Sequence, residues 1–226
     1  MSQVKSIVFA HGIWADGSCF SKLIPPLRRD GYEVMTSQHG LDDFQADVDC
    51  CIRTFARVPS SIVLVGHSYG GAVITAAGND DRVAGLVYIA ALGPDEDETF
   101  QGEQDQFPKT NVFKAIDVAD GRVWMRPEGI EYFAGDLTEE EKQVVYATAN
   151  PPAATLFGNK VARAAWRYKP SWCIVATNDQ SVHPDLERAA AKRMNATVTE
   201  VASSHVAMLS HPDVVLDVIR AAAKGS

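Results

Sequence analysis

The chain has 226 residues, 46% of them hydrophobic and 22% charged, with a formal net charge of −8. That length suits one domain with a sizeable core, and the composition is that of an ordinary soluble globular protein. The acidic balance, uninterrupted by any basic cluster, argues against a nucleic-acid or anionic-membrane surface.

The amino terminus, Met1-Ser2-Gln3-Val4-Lys5, enters an apolar run directly, without the long apolar segment and small-residue cleavage site of a secretory signal. The four cysteines (Cys19, Cys50, Cys51, Cys173) form neither a disulfide framework nor a metal-ligand spacing. A reduced, cytoplasmic protein with no metal or cofactor is the expectation.

Val4 to Phe9 is an apolar run of strand length, ended by the glycine-punctuated loop from Ala10 to Ser18. A helix is expected around Phe20 to Arg29, where Pro25 and Pro26 must bend or restart it. Gly31 closes it, and Tyr32 to Ser37 reads as the next strand. Asp42 to Arg57 predicts an amphipathic helix, with Phe44, Val48, Cys51, Ile52 and Phe55 on one face. Pro59, Ser60 and Ser61 turn the chain into a strand at Ile62–Val65, and Gly66-His67-Ser68-Tyr69-Gly70 follows at once. The next segment is small-residue and helical (Gly71, Ala72, Ala76, Ala77), and Val83 to Ala91 is a further strand.

Continuous apolar strands alternating with helices predict a mostly parallel six-stranded sheet covered on both faces. The alternation stops from Gly93 to about Pro170, where no comparable strand is visible. An acidic stretch (Asp95 to Glu98), scattered aromatics and a helix opening at Thr138-x-x-Glu141 fill that interval. Residues 93–170 are therefore expected to form an inserted helical cap, and residues 1–92 and 171–226 the core. The core resumes with a strand at Trp172–Ala176, a helix from Pro184, a strand at Thr197–Val201 and a terminal helix from Pro212.

In a parallel sheet all carboxyl ends of strands face one way, so the loops after Phe9, Val65, Ala176 and Val201 converge. They carry His11-Gly12-Ile13, Ser68, Asp179 and His205. Gly-x-Ser-x-Gly between a strand and a helix presents its serine on a strained turn, and the chain order Ser, Asp, His completes a nucleophile, an orienting acid and a base. A serine hydroxyl needs a neutral imidazole to take its proton, and a carboxylate to hold that imidazole. Backbone N–H groups of Ile13 and Tyr69 are assigned to the developing oxyanion. Asp95 is the rival acid, since it too follows a core strand; Asp179 comes sooner after its own strand and lacks three neighbouring acids. Among the other histidines, His67 is expected to point away into packing, His11 to shape its loop and His211 to cap a helix. His39 and His183 sit in loops without a nameable partner.

With His11-Gly12-x-Trp14, the serine turn, Asp179 and His205-x-x-Met208-Leu209-Ser210-His211-Pro212 in place, the chain resembles a compact α/β-hydrolase. It is similar to the bacterial esterases that are themselves similar to plant methylesterases and hydroxynitrile lyases. That resemblance implies Ser68 as nucleophile, His205 as base, Asp179 as orienting acid and Ile13 and Tyr69 as oxyanion donors. Two departures point to hydrolysis over cyanohydrin cleavage: Val206 stands where the lyases carry a lysine, and the first loop lacks their threonine. The expected substrate is a small, largely apolar ester held beneath the cap by some of Phe107, Trp124, Tyr132, Phe133 and Phe157. A receptor that retains the triad without turnover and a lyase or carbon–carbon hydrolase are the alternatives. A homodimer is compatible with the sequence.

Overall fold

The computed structural model describes residues 4–59 and 61–225. Residues 1–3, on which part of the amino-terminal reading rests, and Ser60, read above as part of a turn, lie outside the described residues.

The elements run β1 (Ser6–Ala10), α1 (Ile24–Arg29), β2 (Glu33–Ser37), α2 (Phe44–Thr54), β3 (Ile62–His67), α3 (Gly70–Ala77) and β4 (Val83–Ile89). Next come α4 (Phe100–Gln104), the short strands β5 (Ile116–Ala119) and β6 (Arg122–Met125), α5 (Ile130–Ala134) and α6 (Glu139–Ala147). The chain ends with β7 (Ser171–Ala176), α7 (Pro184–Arg193), β8 (Thr197–Val201), α8 (Ala207–Ser210) and α9 (Pro212–Gly225).

Six strands form one sheet in the order β2-β1-β3-β4-β7-β8, and every neighbouring pair is parallel. All residues of β1, β3 and β7 are buried, as continuous apolar runs require when helices cover both faces. Helix α3 lies across β1, β3 and β4, and α9 across β3, β4 and β7. Only the edge strands β2 and β8 leave several side chains in contact with solvent.

The paired prolines restart the helix rather than bend it. A 3-10 turn spans Gly17–Phe20, and α1 begins afresh with its prolines in the first turn, where a missing N–H costs nothing. Helix α2 starts at Asp43, whose carboxylate accepts from Ala46 N–H at 2.9 Å.

The interval 93–170 is not wholly without strands: β5 and β6 form an antiparallel hairpin. Its cause is local. Asp120 and Gly121 both adopt positive φ (51° and 73°), the backbone of a tight two-residue hairpin turn, and Asp-Gly is a strong short signal for it. The helix expected from Thr138 is α6, and its capping box forms from both sides.

This segment is bonded to the loops at the carboxyl edge of the sheet. Trp14 N–H donates to Asn150 O (3.0 Å) and its indole N–H to Val123 O (2.8 Å). Ala153 N–H donates to Leu41 O, and Val112 N–H to Gln180 O. Ser204 N–H donates to Asp136 Oδ2 at 2.8 Å. The loops after β1, β2, β7 and β8 are thus each tied to residues 93–170. Among the described residues no helix is long and apolar enough to cross a membrane.

Candidate active site

Ser68 sits between the end of β3 and the start of α3 with φ +56°, the left-handed region that an L-serine enters only at a cost of about 1–2 kcal/mol. The turn is closed by backbone. Ser68 N–H donates to Ile89 O (3.1 Å), and Ser68 O accepts from Gly71 N–H (2.9 Å) and Leu92 N–H (3.2 Å). Both flanking glycines are sterically required. A Cβ on Gly66 would come within 2.5 Å of Gly70 O, and one on Gly70 within 2.1 Å of Ala10 O. The second contact also shows how tightly α3 is set against the loop that carries His11 and Ile13.

His205 is 1% exposed, and its Nδ1 lies 2.5 Å from Asp179 Oδ2. Asp179 is equally enclosed. Its Oδ1 accepts from the N–H groups of Ser181 (2.6 Å) and Val182 (3.1 Å), a tight turn that fixes the carboxylate. With a carboxylate on Nδ1, the proton belongs on that nitrogen, leaving Nε2 free to accept.

The backbone around His205 is held from two sides. His67 Nε2 lies 2.9 Å from His205 O, to which it donates, so this residue supports the histidine loop as well as filling space. Asp136, from residues 93–170, grips Ser204 through both its N–H and its hydroxyl. Neither partner is visible in the sequence, because a contact over 68 or 138 residues leaves no local pattern.

Ser68, His205, Ile13 and Tyr69 line one cavity of about 150 Å³. Tyr69 is locked by its hydroxyl, which donates to the buried Asp47 carboxyl at 2.8 Å, while Leu41 N–H donates to the other oxygen. Burial raises the Asp47 pKa, and the Tyr69 hydroxyl partly offsets that. Of the five aromatics singled out between residues 93 and 170, Phe133 and Phe157 line the cavity; Phe107, Trp124 and Tyr132 do not. Trp124 is on the outer face of β6 (46% exposed), and the strand alternation puts its neighbour Val123 inward instead. Tyr132 precedes Phe133 on α5, so the helical turn sends the two apart. Val112 and Phe113 ahead of the hairpin and Ile116 at its start add to the wall, to which Gln101, Gln104 and Ala154 also contribute.

The remaining histidines and the rival acid are occupied elsewhere. His11 Nδ1 bonds Gly12 O (2.9 Å) and its Nε2 accepts from His39 N–H (3.1 Å), which is loop shaping. His39 has a partner after all, the Ser37 hydroxyl at 2.8 Å. Burial lowers the pKa of His11, His39 and His67, leaving three neutral imidazoles. His183 caps α7, accepting from Asp185 N–H at 3.2 Å. His211 lies 2.9 Å from its neighbour's hydroxyl, Ser210 Oγ, directly before α9. Asp95 pairs with Arg167 at 2.7 Å on the protein surface, not with His205.

A parallel sheet with a strained serine turn and a buried His–Asp pair at its carboxyl edge defines a class, and the sequence comparison agrees with it. The alpha/beta hydrolase family matches residues 7–218, and the chain belongs to that family. It is 34% identical over 112 residues to a carbendazim hydrolyzing esterase from a Nocardioides species, a match covering 42% of this chain and 45% of that protein. The chain thus matches about half the length of that relative. In fold it is similar to a pyrethroid hydrolase from Sphingobium faniae, with TM-score 0.84 at 23% identity over 98% of both chains. It is also similar in fold to a methylesterase from Arabidopsis, with TM-score 0.77 at 19% identity over 99% and 100% of the two chains.

Proposed function

We propose that the protein is a serine carboxylic-ester hydrolase that acts on small, largely apolar esters through an acyl-serine intermediate. One observation carries this reading. Ser68, in a left-handed turn, shares a mostly apolar cavity with His205, whose Nδ1 is bonded to a buried carboxylate. An esterase relative supports hydrolysis, and the absence of a lysine after His205, where Val206 is buried, supports it over cyanohydrin cleavage.

In the proposed reaction Ser68 Oγ attacks the ester carbonyl carbon while His205 Nε2 takes the hydroxyl proton. The carbonyl oxygen becomes an oxyanion facing the N–H groups of Ile13 and Tyr69, each such donor contributing about 3 kcal/mol of transition-state stabilisation. Collapse expels the alcohol, which leaves with the proton from His205. A water then attacks the acyl-serine by the same route, releasing the acid and restoring Ser68. Asp179 stays ionised throughout, holding the imidazole tautomer.

The wall selects apolar groups. Ile13, Leu92, Val112, Phe113, Phe133 and Phe157 supply most of it, with Gln101 and Gln104 as polar exceptions. Turnover of p-nitrophenyl esters of graded acyl length tests the reading. The expected result is an initial burst followed by steady turnover, best with short acyl chains and abolished in Ser68→Ala. Ester binding without turnover across the whole panel would make the protein a receptor instead.

A further inference from the structure

Glu187 lies in the first turn of α7, where an acid suits the positive end of a helix. It does not stand in solvent there. Its side chain is turned inward and only 3% of the residue is exposed. Oε2 accepts from the N–H of Ala176, the last residue of β7, at 2.9 Å. The same carboxyl is within hydrogen-bonding reach of Asp179. Oε1 is buried and has no N–H or O–H partner.

Two carboxyl groups in contact inside a protein do not both ionise. Asp179 receives the His205 ring N–H and two backbone N–H groups, whereas Glu187 receives a single one. The negative charge therefore belongs on Asp179 and the proton on Glu187. Burial, reinforced by the Asp179 charge, holds the Glu187 pKa well above the ordinary carboxylic range. The other ionisable groups nearby do not alter this. Arg188 is committed to Glu200 and Asp185 on the exposed side of α7, and Cys173 from β7 is a buried thiol whose own pKa is raised. Protonation also resolves the orphaned oxygen, because Oε1–H is then a donor with an anionic acceptor beside it.

We propose that Glu187 is a positioning residue whose carboxylic O–H donates to the Asp179 carboxylate and holds it toward His205 Nδ1. This rests on the reading of Ser68, His205 and Asp179 as the hydrolytic triad. Glu187 touches no substrate and its proton moves in no step. It gives Asp179 a fourth donor, which fixes the rotamer of the carboxylate against the His205 ring.

Three variants test this, with kcat and KM for p-nitrophenyl acetate measured from pH 5 to 9. Glu187→Gln replaces a neutral donor by a neutral donor, the amide carbonyl still accepting from Ala176. Its kcat should stay within about threefold of wild type and the acid limb of its kcat/KM profile should not move. Glu187→Leu keeps the volume and loses the donor; kcat should fall about 10–100-fold with KM little changed. An acid limb displaced downward by a full pH unit in Glu187→Gln would reveal an ionised Glu187 and overturn the proposal. Wild-type kcat in Glu187→Leu would overturn it too. Should the leucine variant not fold, the glutamine profile alone decides. Ser68→Ala separates the two levels: full turnover in that variant sinks the triad, whereas its inactivity together with indifferent Glu187 variants sinks only the role of Glu187.

Discussion

Glu103 makes the stability of this protein depend on pH in a direction opposite to that of an exposed, paired acid. It sits on α4, 2% exposed, with Oε1 accepting from Gly93 N–H and Arg193 (both 3.1 Å) and Oε2 without a partner. Burial outweighs the pull of Arg193 and lifts its pKa to about 7, from an ordinary 4.5. A group whose pKa is higher in the folded state binds its proton more tightly there. Its contribution to stability is complete below about pH 4.5 and is lost as the pH rises to about 7. The gap of about 2.5 units corresponds to about 3 kcal/mol at 1.36 kcal/mol per unit. Glu103→Gln is neutral at every pH and lacks this loss. Urea unfolding of both proteins at pH 4 and pH 8 should show wild type losing about 3 kcal/mol more than the variant across that span. In thermal unfolding the same difference amounts to about 6–12 °C for a chain of this size. Glu187 contributes a slope of the same sign to both proteins and cancels in the comparison. Parallel stability curves for the two would refute the argument.

Two further substitutions probe how the histidine loop and the oxyanion side are held. Asp136→Ala frees Ser204 from residues 93–170, and the resulting displacement of His205 should lower kcat about 10–100-fold with the global fold intact; stopped assays with far-UV circular dichroism check both halves. Tyr69→Phe keeps the Tyr69 backbone N–H but leaves the buried Asp47 carboxyl with one donor fewer. Unfolding free energy should drop by about 1–3 kcal/mol, more at pH 8 than in acid below the raised Asp47 pKa, where protonation spares the carboxyl. Urea titrations at the two pH values measure it, and an equal loss at both would contradict an ionised Asp47.

The parts of the site written in local pattern were legible in the sequence. Gly66 and Gly70 announce a turn that tolerates no Cβ, and apolar runs of strand length gave the parallel core whose edge gathers Ser68, Asp179 and His205. What escaped is long-range or alternates at short period. The Asp120-Gly121 hairpin was a local signal that the surrounding acidic, irregular segment concealed. Trp124 and Val123 differ only in which face of a two-stranded ribbon they occupy, and no pattern over four residues fixes that. No local pattern marks Asp47, Asp136 or Glu187, each of which is folded against a partner on another element. Polar residues of that kind become visible only when the sheet has placed their acceptors and donors.

The central claim is that Ser68 is the nucleophile of an acyl-enzyme mechanism. Treatment with a fluorophosphonate, tryptic digestion and mass spectrometry tests it most directly. Stoichiometric modification of the peptide carrying Ser68, parallel to loss of esterase activity and absent in Ser68→Ala, is the predicted result. An enzyme that keeps hydrolysing esters with Ser68 unmodified, or that loses activity through labelling elsewhere, would contradict the account.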